Sequence, residues 1–369
     1  MAMCMGPAGI ITERRHASCR LPGVLLAGLI LGTGPSVFGQ DSLRTELSGY
    51  AEVYFGYDLG GPVDNERPDF LYNHKRHNEV AINLAYIKAR LHQGRVRANV
   101  ALMAGTYAQY NLAAEPGALQ HVMEANVGVK LGGGEEWWVD AGIMPSHIGF
   151  ESAAGDDCWS LTRSLWAENT PYYEVGARLA YKPSERAAFS VLYLNGWQRI
   201  QRQAGNSAPA FGTQLDLTTA SGARFNWSTF IGRDTPDSVG LWRFYNNVYT
   251  IFDGDTTGLT LGFDLGLQQR KGGGLDGWFG PVVLVRQRLA EASWAVGRVE
   301  FFNDEAMVIM GTDRPVMSAS LGWDRQVAAG IRFRVEGRWI GNERTIFTDG
   351  DGDAARDNWA FTTALCARF

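Results

Sequence analysis

The chain has 369 residues, with 34 Lys+Arg against 39 Asp+Glu and a formal net charge of −5. That mild acidity excludes nucleic acid as the default partner, because phosphate binding is built on a basic surplus, and 45% hydrophobic against 20% charged residues excludes a disordered chain. The 45 Gly, 12 Trp, 13 Tyr and 18 Phe together fit a many-stranded β protein with tight turns.

Arg14, Arg15 and Arg20 precede the apolar run Leu21 to Leu31, and small residues follow up to Gly39. This is the order of a secretory signal peptide over residues 1–39, cleaved before Gln40. The run is too short for a spanning helix, which needs roughly 20 residues. No later window approaches one, so a membrane location would require strands. Cleavage would leave Cys158 and Cys366, which read as two free thiols.

From Leu47 to the end, alternation over about ten residues recurs with turn residues between. Leu259, Leu261, Phe263, Leu265 and Leu267 interleave with Thr260, Gly262, Asp264, Gly266 and Gln268, and Ile331, Phe333, Val335 and Trp339 with Arg332, Arg334, Glu336 and Arg338. One face is apolar and the other charged. Strands are predicted at 47–58, 78–92, 94–109, 120–131, 136–145, 172–183, 186–198, 211–219, 223–233, 241–252, 257–270, 278–289, 292–304, 314–325, 329–341 and 358–369. Two stretches resist the pattern: 86–92 puts Lys88 and Arg90 on the face Val80, Ile82 and Leu84 had used, and 189–197 alternates on neither register. A bulge would explain either.

Period two alone does not separate a soluble sandwich from a transmembrane barrel, in which the apolar face meets lipid. The connections arbitrate. Gln93-Gly94, Gly132-Gly133-Gly134, Pro183-Ser184-Glu185, Ala220-Ser221-Gly222 and Gln326-Val327-Ala328 are tight, whereas 59–77, 146–171, 199–210 and 342–357 are long and polar. Short turns at one end and long loops at the other predict an all-β, transmembrane, antiparallel barrel of about sixteen strands with periplasmic turns and extracellular loops. Residues 40–369 would form this one barrel domain. Trp137, Trp227, Trp242, Trp323, Trp339 and Trp359 fall near strand ends or on the outward face, as an aromatic girdle requires. In the last strand Trp359, Phe361, Leu365 and Phe369 share one face. This resembles the terminal aromatic signature that outer-membrane assembly machinery recognises.

Several ordered blocks carry a family resemblance: Asp140 to Ser152 (DAGIMPSHIGFES), Leu161 to Ser164 (LTRS), Ala167 to Tyr173 (AENTPYY), Asn195 to Ile200 (NGWQRI) and Asn226 to Gly232 (NWSTFIG). They resemble the putative β-barrel porins of the OmpL-like type, from about Ser48 to Phe369. The resemblance implies a pore-forming barrel in the outer membrane of a Gram-negative-type envelope, without transferable catalytic residues. Sixteen-stranded porins are commonly trimeric, and a homotrimer is the corresponding expectation.

The inward register collects Arg95, Arg97, Lys130, Arg178, Lys182, Arg224, Arg243, Arg270, Arg286, Arg288, Arg298, Arg332, Arg334, Arg338 and Arg368. Facing them are Glu52, Asp58, Glu124, Asp140, Glu174, Asp264, Glu300, Asp324 and Glu336. A basic pore wall favours anions weakly; Arg–Glu pairing between neighbouring strands is the alternative. Loop 146–171 is the longest connection, and its Phe150, Trp159 and Trp166 argue for packing. It is expected to enter the lumen as a constriction with Glu151, Asp156, Asp157, Arg163 and Glu168 at the narrow point, a lid over the mouth being the rival. Asp349, Asp351, Asp353 and Asp357 alternate as in calcium loops but lack the later ligands of an EF-hand, so they read as a solvated acidic loop. His147, Ser160 and Asp156 or Asp157 are the only triad-like set, and no nucleophile elbow surrounds the serine.

The sequence therefore reads as a passive-diffusion porin for small hydrophilic solutes, with no covalent step and no cofactor. Its partners would be outer-membrane lipid, the solutes or ions that pass, and the assembly machinery acting on the Phe369 strand. A plugged structural or adhesive barrel and an outer-membrane hydrolase are the alternatives.

Overall fold

The computed structural model describes residues 42–134 and 136–369. The signal peptide expected over 1–39 lies outside the described residues. The barrel strands are β1 (Arg44–Asp58), β2 (Val80–Gln93), β3 (Val96–Ala104), β4 (Val122–Leu131), β5 (Trp137–Pro145), β6 (Tyr173–Ser184), β7 (Ala187–Leu194), β8 (Ala210–Thr218), β9 (Arg224–Arg233), β10 (Trp242–Asp253), β11 (Thr257–Gln269), β12 (Leu275–Ala290), β13 (Ser293–Phe302), β14 (Val316–Ala328), β15 (Ile331–Asn342) and β16 (Asp357–Arg368). Each pairs antiparallel with its sequence neighbour, and β16 returns to β1 with Tyr50 opposite Arg368 and Asp58 opposite Ala360, which closes the barrel. Phe369 extends the seam: its N–H donates to the Gly49 carbonyl at 3.1 Å and its carbonyl accepts from Gly49 at 2.7 Å. Closure leaves no unpaired edge, the condition for strands to cross a bilayer.

The faces are inverted relative to a soluble β protein. Leu261, Phe263, Leu265, Val283, Val285 and Leu321 are exposed on the outside, whereas Glu52, Asp140, Glu174, Arg298, Arg334 and Glu336 are buried within. The outward aromatics collect at both strand ends. Trp137 stacks on Tyr181 at 4.3 Å and Trp323 meets Phe333 at 6.2 Å at the short-turn end. Trp242, Trp339 and Trp359 stand at the long-loop end of β10, β15 and β16. This is the lipid-facing band with its two girdles.

Three expectations about the elements change. First, the strand expected to run through 94–109 stops at Ala104, and the one expected from 120 starts at Val122; between them lie a helix, Thr106–Asn111, and a 3₁₀ turn, Gly117–His121. Leu112, Tyr107 and Ala108 are buried inside the barrel, so this segment follows a lumenal contact and not the wall's period. Second, β13 ends at Phe302 and β14 begins at Val316, so the connection expected between 304 and 314 is longer, 303–315. Third, 189–194 needs no bulge. Phe189, Val191 and Tyr193 face out, while Ser190, Leu192 and Leu194 face in, and the two leucines are apolar because they pack inside the barrel. The other irregular stretch is a bulge. Glu52 pairs with Leu84 and Val53 with Ile82, so Asn83 is the extra residue. The parity of β2 flips there, and Lys88 and Arg90 turn inward.

Candidate functional site: the loop-filled lumen

The connection after β5 turns into the barrel at once. The His147 carbonyl accepts from Gln214 Nε2 at 3.1 Å and Ser228 Oγ at 2.6 Å, and Gly149 N donates to Asn247 Oδ1 at 3.1 Å. Both ring nitrogens of His147 meet acceptors: Nδ1 lies 2.7 Å from Glu174 and Nε2 2.8 Å from the Thr229 carbonyl. Burial opposes the imidazolium, but the Glu174 carboxylate and the Thr229 carbonyl outweigh it and hold the histidine above its ordinary range. With both nitrogens occupied, His147 has none free to serve Ser160, whose hydroxyl instead accepts from Arg298 at 2.9 Å. The triad-like set is not assembled.

The loop then crosses to the far wall, where arginines of β13 and β15 grip its backbone. Arg334 donates to the Gly155, Cys158 and Trp159 carbonyls at 2.6, 3.0 and 2.7 Å while paired with Asp324 at 2.8 Å. Arg298 donates to the Thr162 carbonyl at 2.5 Å and pairs with Glu300 and Glu336, both at 3.1 Å. Arg338 donates to the Arg163 carbonyl at 3.0 Å and pairs with Glu300 at 2.8 Å. Glu336 in turn accepts from Thr162 N, and Glu300 from Leu165 N. A buried guanidinium is tolerable only when its donors are met, and here carboxylates and loop carbonyls meet them.

Apolar seating reinforces the clamp. The inward face of β11 is Gly258, Thr260, Gly262, Asp264 and Gly266. A Cβ at Gly258 would lie 2.6 Å from the Trp159 ring, one at Gly262 2.6 Å from Trp166, and one at Gly266 2.0 Å from Trp278. The glycines form a trough for three indoles, and Ile148, Leu165 and Trp166 join the inward Leu192, Leu194, Phe230, Val282 and Ile340 in one internal cluster. The short helix Leu165–Glu168 is capped by Ser164, whose hydroxyl accepts from Ala167 N at 3.1 Å. Glu168 ends the loop by accepting from Tyr72 N at 2.8 Å and Asn73 N at 3.1 Å, which ties it to connection 59–79. That connection is also drawn inward, with His74 2.6 Å from Glu52.

Among the residues singled out in the sequence, the nine arginines are all partnered. Arg97 forms a two-point pair with Asp140 at 2.7 and 2.6 Å, and Arg178 joins it at 3.2 Å. Arg286 pairs with Asp253 at 2.6 Å and lies over Trp159, and Arg332 pairs with Asp156 at 3.1 Å. Arg95 and Arg288 sit beside the short turns, donating to the Lys130 carbonyl and to the Ala290 and Glu291 carbonyls respectively. Seven of the nine are thus paired with carboxylates, whereas Arg95 and Arg288 meet only backbone carbonyls. Of the loop residues, Glu151 accepts from Ser164 N at 3.1 Å, and Asp157 pairs with Arg368 at 2.8 Å. Arg163 faces no open space: its guanidinium donates to the carbonyls of Ser152, Leu161 and Ala153 and organises the loop from inside. Burial pushes the Glu151 and Glu168 carboxyls above the ordinary carboxylate range and the Cys158 thiol up to about 11. Cys158 and Cys366 are both free. In the last long connection Asp349 accepts from Asp351 N and Asp353 N at 3.0 and 2.9 Å, which is turn chemistry.

Among the cavities of the described residues, two border the inserted loop and Tyr173. One of about 490 Å³ faces Lys88, Arg90, Glu124, Glu151, Asp157 and Arg368. The other, of about 390 Å³, faces Tyr72, Glu168, Trp197, Arg199, Asp234 and Arg243. Tyr173 borders both, and its hydroxyl donates to Glu115 at 3.1 Å. Sequence reasoning missed Lys88 and Arg90 because the bulge at Asn83 reverses their side. The displaced alternation over 86–92 was the visible signal.

A closed barrel with a lipid-facing outside, a charged inside and an inward-folded loop defines the class of outer-membrane channel barrels. The chain belongs to the family described as "Putative beta-barrel porin-2, OmpL-like", whose model matches residues 44–369, and this places it in a bacterial outer membrane. Its fold is similar to an anion-selective porin from Comamonas acidovorans (10% identity, covering 89% of this chain and 100% of that one, TM-score 0.58). It is also similar to OmpT of Vibrio cholerae in its trimer form (10%, 89% and 100%, TM-score 0.60) and to OmpF of Salmonella typhi in complex with daunomycin (11%, 89% and 98%, TM-score 0.59). No curated protein sequence matches the chain.

Proposed function

We propose that the protein is a porin for passive diffusion of small hydrophilic solutes, exported through a signal peptide over 1–39 and acting without a covalent step. The family membership supports this reading, and the observation that carries it is the charged, loop-narrowed lumen with cavities on either side of Tyr173. Loop 146–172 acts as the constriction, with Glu151 and Asp157 toward one cavity and Glu168 toward the other. Selection is by size and by lining charge. A weak anion preference rests on cations without a close carboxylate: Arg90, whose partner Glu46 is 3.8 Å away, and Arg243. A homotrimer is the proposed assembly, by analogy with the trimer form of OmpT of Vibrio cholerae.

Planar-bilayer recording of the refolded mature protein tests this reading, with stable conductance steps expected and a positive-ion reversal potential arguing against anion preference. Deleting 153–160 removes the backbone that Arg334 holds and is expected to raise single-channel conductance; an unchanged value would sink the constriction role. A plugged structural barrel is the second reading. It is favoured by Asn73 Nδ2, which donates to the Tyr172 hydroxyl at 3.0 Å and helps bridge the two inserted connections. Insertion without conductance would put it first.

A further inference from the structure

Among the inward arginines, Arg243 differs from those of the clamp. Its Nε donates to Gln268 at 3.0 Å, and no acceptor meets either Nη among the described residues. The guanidinium carbon lies 5.1 Å from the Trp197 ring and 5.6 Å from the Trp278 ring, which hold the plane of the group while leaving its donor edge uncommitted. Arg243 lines the cavity of about 390 Å³, together with the aromatic rings of Tyr72, Tyr110 and Trp197.

The acids near it are otherwise engaged. Asp234 lies 3.5 Å from Arg199, Glu168 takes the N–H groups of Tyr72 and Asn73, and Asp304 takes those of Val308, Ile309 and Met310. Arg243 is the second residue of β10, at the long-loop end of the strand, and shares its cavity with Glu168 of the inserted loop.

We propose that this cavity is a binding station for small aromatic carboxylates: the carboxylate takes the two free Nη donors of Arg243 and the ring lies against Trp197 and the two tyrosines. A planar guanidinium with two parallel donors matches a carboxylate in a way a lysine ammonium does not, and aromatic walls favour a ring over an aliphatic chain of equal charge. The inference rests on the porin reading and names the solute class for it.

The test adds benzoate on the long-loop side of the conducting channel and, separately, titrates it calorimetrically into the detergent-refolded protein. Benzoate is expected to lower the mean current in a saturable way, and to bind about tenfold more weakly to Arg243→Ala, with Arg243→Lys between, as loss of a charge-assisted pair implies. Acetate and benzylamine should each act at least several-fold more weakly. A conducting channel indifferent to benzoate, benzylamine acting equally, acetate acting equally, or an Arg243→Ala variant with unchanged affinity overturns the proposal while leaving the porin intact. A protein that fails to conduct overturns the porin reading, and the calorimetry then still decides the site: Arg243-dependent benzoate heat supports it and no heat removes it.

Discussion

The two sides of the lumen obey the same alternation and use it oppositely. On the β11–β15 side, loop 146–172 lies against the wall: Trp159 and Trp166 fill the glycine trough of β11, and Arg298, Arg334 and Arg338 are fully buried between carboxylates and loop carbonyls. On the β2–β4 side the loop stands away, and Lys88, Arg90 and Glu124 border a cavity of about 490 Å³. Where the wall is covered, each inward polar group needs a specific partner because water has been removed. Where it is open, a charge such as Arg90 can be solvated and is of little consequence for stability, although Lys88 and Glu124 still pair with each other. The position of one loop thus separates structural arginines from those available to a solute.

The sharpest way to break this contrast is Arg334→Met. It strands Asp324 and frees the carbonyls of Gly155, Cys158 and Trp159, and should cost about 3–5 kcal/mol in urea unfolding of the refolded barrel, the scale of a broken buried pair. A cost below about 1 kcal/mol would mean that water reaches the clamp. Gly262→Ala probes the apolar seat of the same side. Its Cβ would fall 2.6 Å from the Trp166 ring, so overpacking of about 1–3 kcal/mol is expected, with a red shift of tryptophan emission as the indole is expelled. Unaltered emission and stability would show that the seat is loose.

On the open side, Arg90→Glu should leave unfolding within about 0.5 kcal/mol of the parent and move the reversal potential toward cations. A large stability loss there would erase the distinction between the two walls.

Much of this was legible in the residues. Alternation gave the strands and their number, turn chemistry gave the two unlike ends, and the disrupted parity at Lys88 and Arg90 announced the bulge that Asn83 makes. The phenylalanine and tryptophans of 146–171 announced that the loop would pack. Three things were hidden. The run through 94–109 has strand-like composition, yet Thr106–Asn111 is helical because it packs inside the barrel. Leu192 and Leu194 spoiled the alternation of β7 because the inner face is locally apolar, which is meaningful only once Ile148 and Trp166 lie against it. The loop partners of the arginines were hidden too, since Arg334 meets the Gly155 carbonyl across a separation of 179 residues, whereas its pairing with Asp324 on the neighbouring strand is the cross-strand alternative the sequence offered.

By itself, then, the sequence determined which face the regularly alternating strand residues take and that the barrel must close through lipid, because side-chain direction has a fixed period of two wherever no bulge intervenes and an unpaired edge is intolerable in hydrocarbon. Only the tertiary structure decided which inward charges are spent on the loop and which, like Arg243, keep donors free. That depends on where a long connection lies across the lumen, a matter of packing and desolvation between residues far apart in the chain, on which local periodicity is silent.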